Sequence, residues 1–386
     1  MDKVLVLDCW MRKGLSVIRA LGREGLEVHC CSHKSISPAR FSKYTKRFFI
    51  FPDPEIEPKK FKKMLVSLLK ENRYSSLIPL EEPTIELILE FRDEIERYTK
   101  IALVDKIKFE RAVDKWNSVR LAKKVGIPVP ESYCPQNESE VNDAIKKIGF
   151  PLIIKPRKTS GGRGLKKINN RGEFDENYPS IVKRFGRPMI QEYIGEGPGV
   201  LVWLIVRDGK ILADFSYERL RKYPMGSGPG TMWVSTDNKK IKKYSEDISK
   251  ALDWHGIIIV EFKMDPKDNK PKFMEINPRL GGSTAHPLVC GVNFPYILYL
   301  LALNKKIIKP KYVVGRKTRW LAADIMHFVS NKKRWSMNPS FFTFLDKNTF
   351  YEEFDSTDMK GNIWIMFNYF LNFFDFEIWK KGVLRK

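Results

Sequence analysis

Strand and helix patterns alternate through the first 110 residues, and this alternation limits the fold more than any other feature of the sequence. Amphipathic stretches typical of helices occur at residues 15–23 and 61–71. Apolar runs typical of buried strands alternate with these stretches, at residues 4–7, 27–31, 48–51 and 76–80. Strands joined by crossover helices pair in parallel, so the sequence predicts an N-terminal parallel α/β domain.

The middle of the chain has a different pattern, in which strands follow one another directly. Apolar strands are predicted at residues 149–155 and 188–194. Residues 200–206 and 210–215 predict a hairpin that turns at Asp208-Gly209. Strands joined by such a tight turn pair in antiparallel fashion.

A strand, a polar turn and a second strand occupy residues 256–277 and carry acidic side chains. The apolar run 256–260 leads into Glu261, and the returning strand carries Glu275 and Asn277. Side chains alternate between the faces of a strand, so Glu275 and Asn277 point the same way. We expect these three side chains to form an all-oxygen cluster of the kind that holds Mg²⁺ or Mn²⁺. The alternative is a surface hairpin whose acids are solvated.

A glycine-rich loop and two lysines precede this acidic segment. One apolar strand ends in Lys155, and Gly161, Gly162 and Gly164 follow it, while Lys115 lies upstream at the start of a helix. Backbone N–H groups of such a loop can approach phosphate oxygens because no Cβ atom intervenes. Together with a carboxylate cluster, these are the parts that hold a nucleoside triphosphate with its metal ion. Taken alone, Lys115 would be interpreted as a surface lysine.

Composition and charge narrow the classes of partner. The formal net charge of +23 predicts attraction to anions. The basic residues are nevertheless spread along the chain without a nucleic-acid-binding motif, which argues against nucleic acid as the main partner. Five cysteines without CxxC spacing favour a reduced, cytoplasmic protein over a disulfide or zinc framework. We find no segment with the pattern of a signal peptide or a transmembrane helix.

The C-terminal residues 362–379 are dense in Trp, Phe and Ile and are followed by basic residues up to Lys386. One interpretation is a helix that packs its aromatic side chains on the body of the protein. The alternative is an amphipathic segment that makes peripheral contact with an anionic membrane.

The order of these motifs resembles the ATP-grasp superfamily, in its carboxylate–amine ligase and carbamoyl-phosphate-synthase-large-subunit-like branch. The resemblance covers roughly the first 300 residues and is strongest at Lys115, Glu261 and the segments 155–164, 191–199 and 275–279. It implies an N-terminal parallel α/β (pre-ATP-grasp) domain followed by a two-lobed ATP-grasp fold in which both lobes are α+β. The implied divisions are the N-terminal domain at 1–110, the small lobe at 111–195, the large lobe at 196–310 and an aromatic, basic C-terminal extension at 311–386.

The resemblance also implies roles for single residues. Lys115, Lys155 and the glycine loop would bind ATP phosphates, residues 191–194 would meet adenine, and Glu196 would reach the ribose. The full cofactor-binding set is Lys115, Lys155, Gly161, Gly162, Gly164, Gln191, Glu192, Tyr193, Ile194 and Glu196. The metal ligands would be Glu261, Glu275 and Asn277. The catalytic set would be Lys155, Asn277 and Arg279, where Arg279 stabilises phosphoryl charge or a substrate carboxylate.

The implied reaction is an ATP-dependent ligation. The carboxylate of a small acidic substrate would attack the γ-phosphate, and an amine would then displace phosphate from the acyl phosphate. Candidate substrate contacts are Arg219, Arg221 and Ser283, and His286 either lines the same pocket or is a hydrogen-bonded structural residue. Two alternatives remain, namely phosphoryl transfer to a small acid without amide formation, and a non-catalytic, membrane-associated nucleotide-binding protein. Ligases of this type often pair, so a homodimer is a candidate assembly.

Overall fold

The computed structural model describes residues 1–159, 161–226 and 228–373, and these residues form three β-sheets with flanking helices. The strands are β1 (Lys3–Val6), β2 (Glu27–Ser32), β3 (Thr45–Ile50), β4 (Ser76–Ile78), β5 (Ser132–Tyr133), β6 (Leu152–Lys155), β7 (Lys166–Ile168), β8 (Met189–Glu192), β9 (Gly199–Arg207), β10 (Lys210–Lys222), β11 (Gly230–Thr236), β12 (Gly256–Asp265), β13 (Lys270–Asn277), β14 (Lys317–Arg319) and β15 (Thr349–Tyr351). The helices are α1 (Arg12–Arg23), α2 (Pro58–Glu71), α3 (Glu82–Glu90), α4 (Arg92–Glu96), α5 (Lys106–Val113), α6 (Lys115–Lys124), α7 (Glu138–Ile148), α8 (Arg171–Phe185), α9 (Lys239–Ala251), α10 (Ala285–Cys290), α11 (Phe294–Ala302), α12 (Leu321–Ser330) and α13 (Met359–Phe373). Short 3₁₀ turns occur at Pro38–Phe41 and Arg334–Ser336.

The N-terminal sheet is parallel throughout, with the strand order β3-β2-β1-β4. Strand β1 is buried on both faces, as its apolar run predicts. Val4 and Val6 pack with α1, whereas Leu5 and Leu7 pack with α2. The parallel α/β domain predicted at the N-terminus is therefore confirmed.

The small lobe is an antiparallel sheet with the order β5-β8-β6-β7. Helices α7 and α8 cover it, and Ile145 and Phe174 share a core with Leu152 and Ile154 of β6. Strand β6 delivers Lys155 to the edge of this core, and the glycine-rich loop follows before β7. The position of the loop is thus fixed by two strands that pair with each other.

The large lobe is built on a seven-stranded sheet with the order β13-β12-β9-β10-β11-β14-β15. Ile241 and Ile248 of α9 pack on one face of it. The other face meets α11, where Trp203 lies 5.2 Å from the Phe294 ring, and α11 in turn contacts the N-terminal sheet. Strands β14 and β15 show that this sheet continues into the residues after 310.

The C-terminal residues fold back onto the N-terminal domain through a buried ionic cluster. Arg19 Nε lies 2.9 Å from Asp358 Oδ2, and the same carboxylate accepts hydrogen bonds from Ser42 Oγ and the Lys43 amide. In α13, Trp364 stacks on Phe41 at 3.6 Å. The predicted packing of this aromatic segment on the protein body thus holds for part of α13, and residues 374–386 lie outside the described residues. Among the described residues, no helix combines the length and apolar character that crossing a membrane requires.

Replacement of Asp358 by Ala is expected to lower the free energy of unfolding by about 3 kcal/mol, because it leaves the buried Arg19 guanidinium without its main counter-ion. Chemical denaturation measures this change. As a control, Asp247→Ala removes an exposed ion pair with Lys243 on α9 and should change stability by less than about 0.5 kcal/mol. Equal losses in the two variants would contradict the anchoring role of Asp358.

Candidate functional site

A cleft of about 510 Å³ lies between the small-lobe sheet and the large-lobe sheet. Its walls come from β6, β8, β10, β12 and β13 and from the loops around Thr159 and Gly226. The cationic side chains that line it are Lys115, Lys155, Arg219, Arg221, Lys222 and Lys263. The acidic ones are Glu192, Glu196, Glu218, Glu261 and Glu275. A cleft lined by six cations and five carboxylates suits a polyanion that brings a metal ion with it.

Lys155 lies at the floor of this cleft, with 4% of its surface exposed. Its Nζ donates a hydrogen bond to the Met274 carbonyl oxygen at 3.0 Å and lies 3.7 Å from Glu275 Oε2. Burial lowers the pKa of Lys155, and the charge of Glu275 offsets part of that effect. A phosphate oxygen placed here would stabilise the charged ammonium further.

Lys115 approaches the same carboxylate from the start of α6. Asp114 caps this helix by accepting hydrogen bonds from the Trp116 and Asn117 amides, which fixes the direction in which Lys115 leaves. Lys115 Nζ lies 4.0 Å from Glu275 Oε2 and also donates to the Thr159 carbonyl oxygen. The structure therefore brings Lys115 and Lys155 to the same carboxylate.

The glycine-rich loop between β6 and β7 uses backbone conformations that favour glycine. Gly161, Gly162 and Gly164 have φ angles of 63°, 71° and 74°. A Cβ atom on Gly164 would lie 2.6 Å from the Phe185 ring and 2.8 Å from the Pro156 ring. Of the three glycines, Gly162 lines the cleft. The loop can therefore lie close over a ligand in the cleft.

Glu261 and Glu275 are direct register partners on the adjacent antiparallel strands β12 and β13. Side chains of such partners share one face of the sheet, which brings the two carboxylates to the same side of the cleft. Burial alone would raise the pKa of Glu275, but the charges of Lys155 and Lys115 outweigh it and hold that pKa below its ordinary value. Glu275 is consequently an anion at neutral pH.

The third predicted metal ligand, Asn277, contacts Glu275 but is not among the residues that line the cleft. Asn277 Nδ2 donates to Glu275 Oε1 at 3.4 Å, while its Oδ1 accepts from Arg279 Nη2 at 3.4 Å. No group of three or more His, Cys, Asp or Glu side chains with metal-binding geometry occurs within the described ranges. Two carboxylates and one amide oxygen still match the hard ligands of Mg²⁺, which takes its remaining ligands from phosphates and waters.

Strand β8 and the residues after it form another part of the cleft wall. Gln191, Glu192, Tyr193 and Ile194 all line the cleft. The Ile194 carbonyl oxygen accepts a hydrogen bond from Lys263 Nζ at 3.0 Å. Glu196 lies within 3.1 Å of the Tyr193 hydroxyl, and 74% of its side chain is exposed. This part of the cleft therefore offers main-chain polar groups to a ligand and places the Glu196 carboxylate at the rim.

Sequence reasoning missed Lys263 and assigned no role to Lys222, both of which line the cleft. Burial lowers the pKa of each lysine, and the nearby charge of Lys222 lowers that of Lys263 further. A signal for Lys263 was present, because it follows Glu261 by two positions on a strand and must share its face.

The three predicted substrate contacts fall in different environments. Arg219 lines the cleft, and its Nη2 lies 3.0 Å from Glu261 Oε1. A register shift in β10 separates it from Arg221, which is 5% exposed and lies 3.0 Å from Asp324 of α12. Ser283 is buried, and its Oγ lies 2.7 Å from the Tyr217 hydroxyl oxygen. It is not among the residues that line the cleft.

Arg279 and His286 are likewise not among the residues that line the cleft. Arg279 Nε donates to Glu82 Oε1 at 3.0 Å and so connects the large lobe to α3 of the N-terminal domain. His286 is fully buried, and its Nδ1 lies 2.8 Å from Thr318 Oγ1. Burial lowers the pKa of His286 to about 3, so the ring is neutral and has the environment of a structural residue.

Comparisons with known proteins give the same architecture. Residues 112–283 match the model of the ATP-grasp domain family. The carbamoyl phosphate synthase large chain of Pyrococcus furiosus is 28% identical over 210 residues, which are 50% of this chain and 19% of that protein. The chain spans less than half the length of the curated relatives it matches.

Two solved structures extend the likeness beyond the matched domain. The biotin carboxylase domain of Hydrogenobacter thermophilus 2-oxoglutarate carboxylase has a TM-score of 0.66 at 19% identity, covering 82% of this chain and 72% of that one. The L-amino acid ligase from Bacillus licheniformis has a TM-score of 0.61 at 16% identity, covering 81% and 75%. These matches confirm the predicted fold class, and residues 112–283 carry the sequence match to an ATP-grasp domain.

Proposed function

We propose that the protein is an ATP-dependent carboxylate–amine ligase that uses Mg²⁺ and forms an acyl phosphate. The observation that carries this proposal is the position of Glu275, which lies within 4.0 Å of both Lys155 and Lys115 and is the register partner of Glu261. Two cations and two carboxylates at one end of a cleft are the arrangement needed to hold a triphosphate with its metal ion. Among the solved neighbours, the Hydrogenobacter domain was determined with MgADP.

The proposed role of each residue follows from its position in the cleft. Lys155 and Lys115 would hold phosphate oxygens, and the glycine-rich loop would cover them and exclude water that hydrolyses an acyl phosphate. Mg²⁺ held by Glu261 and Glu275 would neutralise charge on the transferred phosphoryl group. Arg219 pairs with Glu261 at 3.0 Å, so binding of the metal ion would free its guanidinium for an anionic substrate. The acidic substrate is therefore proposed to lie beside Arg219.

Phosphoryl transfer to a small acid without amide formation is the second candidate. The likeness to carbamoyl phosphate synthase large chains favours it, since these matches cover 78% of this chain in one relative and 72% in another. Both reactions use the same nucleotide site, so they differ in whether an amine is consumed. The amide-forming reaction is proposed first because an L-amino acid ligase shares the fold over 81% of the chain.

Release of ADP from ATP by the purified chain, measured with a panel of small carboxylic acids and primary amines, tests the proposal. A ligase should release ADP with Mg²⁺ only when both an acid and an amine are present, and mass spectrometry should detect the amide. Release that needs the acid but no amine would favour the second candidate. Absence of nucleotide binding by calorimetry would contradict both. We also propose a cytoplasmic location and a homodimer, and light scattering measures the latter.

A further inference from the structure

Exposed apolar side chains are concentrated in the C-terminal part of the protein. More than half of the large apolar side chains that are exposed among the described residues lie between positions 325 and 371, which is about an eighth of the chain. Scattered exposed apolar residues need no explanation, but a contiguous group of them marks an interaction site.

The most prominent group is an aromatic ridge formed by Trp335, Phe342, Phe344 and Leu345. Their exposed fractions are 76%, 55%, 39% and 96%. Trp335 stacks on Phe342 at 5.9 Å, and Phe342 contacts Phe344 at 6.3 Å. The ring contacts make the ridge one continuous surface.

The aromatic ridge is supported from below by a buried cation. Arg319 has no exposed surface, and its Nε lies 2.8 Å from Asp324 Oδ2. Its guanidinium carbon lies 4.6 Å from the Phe341 ring centre and 4.8 Å from that of Phe344. Neither Nη atom has a hydrogen-bond partner among the described residues, so the ring faces supply the favourable contact. The ridge is therefore a preformed surface.

Basic and acidic side chains around the aromatic ridge lie in different environments. The basic side chains Lys332, Lys333 and Lys347 are exposed and form no ion pair within the described part of the chain. The acidic side chains of the same segment turn towards the protein and are already engaged. Their partners are Lys317 for Asp346, Arg12 for Glu352, the Ala322 amide for Glu353, and Arg19 for Asp355 and Asp358. The surface around the ridge consequently carries unpaired positive charge.

We propose that the aromatic ridge and its three lysines form a docking surface for an anionic lipid bilayer. Tryptophan and phenylalanine beside lysine are the side chains that bind at the boundary between headgroups and acyl chains. A second copy of this chain is a poorer occupant, because a two-fold contact through the ridge would bring the same lysines together. Charge complementarity therefore favours an anionic bilayer over a second copy of the chain.

Docking in this way would also orient the cleft. Asn338 lines the cleft and lies in the same loop, between Trp335 and Phe342. Three residues of extended chain span at most about 10 Å, so the cleft mouth would lie near the headgroups. The docking surface stands on geometry and charge alone and does not depend on the proposed ligase activity.

Flotation of the full chain with vesicles tests the proposal. Vesicles that contain phosphatidylglycerol should bind the protein at least about tenfold more tightly than vesicles of pure phosphatidylcholine, and added salt should weaken the binding. Trp335→Ser with Leu345→Ser should reduce binding about tenfold or more, and Lys332→Glu with Lys333→Glu should do the same. A matched control, Ile56→Ser with Ile308→Ser, removes side chains that are 77% and 82% exposed elsewhere and should leave binding unchanged.

Three outcomes would overturn the proposal. Binding that shows no preference for phosphatidylglycerol would contradict a role of lipid charge in docking. Binding that survives both ridge variants but is lost on deletion of residues 374–386 would move the docking surface to that segment. Light scattering that shows a dimer broken by Trp335→Ser with Leu345→Ser would assign the ridge to a second copy. Nucleotide affinity without vesicles should be the same in all variants, which separates this result from a failure of the proposed function.

Discussion

Replacement of Glu275 by Gln is expected to reduce ADP release by about 10²–10³-fold or more. The substitution keeps the size of the side chain and removes the negative charge that lies 3.7 Å from Lys155 and faces Glu261 across the strand pair. A neutral amide binds Mg²⁺ far more weakly than a carboxylate. Steady-state ADP release measured over a range of Mg²⁺ concentrations should show both a lower maximum and a higher metal requirement.

The matched control is Glu176→Gln, which makes the same substitution at an exposed carboxylate on α8. It should leave ADP release unchanged. Circular dichroism should show that Glu275→Gln remains folded, since the side chain is retained and Asn277 can still donate to its oxygen. Normal turnover in the folded Glu275→Gln variant would mean that this carboxylate does not hold the metal ion.

The N-terminal domain was predictable because its elements are long enough to show a period. Strand β1 (Lys3–Val6) and helix α1 (Arg12–Arg23) overlap the predicted runs 4–7 and 15–23, and the helix begins three residues earlier than predicted. The third strand was expected at residues 48–51 but begins at Thr45. Strand β3 is an edge strand with several exposed side chains, so its polar start lacks the apolar run on which the prediction rests.

The site was less predictable where polar residues lie inside strands. Strand β10 was expected to end near residue 215 and continues to Lys222. Glu218 and Arg219 line the cleft, so their polarity reflects contact with a ligand space and not the end of the strand. Strand rules that require apolar alternation interpret such residues as a loop.

The junction between domains was not predictable from local pattern at all. Lys13 is 2% exposed, and its Nζ lies 2.8 Å from Glu81 while donating to the Leu280 carbonyl oxygen at 3.2 Å. Lysine in a helix is normally expected on the solvated face. Glu81 belongs to the N-terminal domain, but the Leu280 carbonyl belongs to the large lobe, more than 260 positions away in sequence, and no local pattern shows that approach. The two three-residue strands β14 and β15 are likewise too short to show a period.

Replacement of Lys155 by Met is expected to weaken ATP binding by about 10- to 100-fold. Methionine keeps most of the apolar stem that packs at the end of β6 but removes the ammonium group that faces Glu275. Without that charge, a phosphate would have to lie near Glu275 with Lys115 as the closest remaining counter-ion. Isothermal titration calorimetry measures the affinity, and Lys183→Met on the exposed surface of α8 is the control that should not change it.

The lowered pKa of Lys155 adds a second signature to the same experiment. Because burial favours the neutral amine in the free protein and a phosphate oxygen favours the ammonium, ATP binding should raise the pKa of Lys155 and take up protons at alkaline pH. The affinity for ATP should then fall as the pH rises through the pKa of the free protein, and titrations in buffers of different ionisation enthalpy should detect the uptake. In Lys155→Met this uptake should disappear. Unchanged affinity together with unchanged proton uptake would remove Lys155 from the nucleotide site, whereas loss of both would link the buried ammonium directly to the bound phosphate.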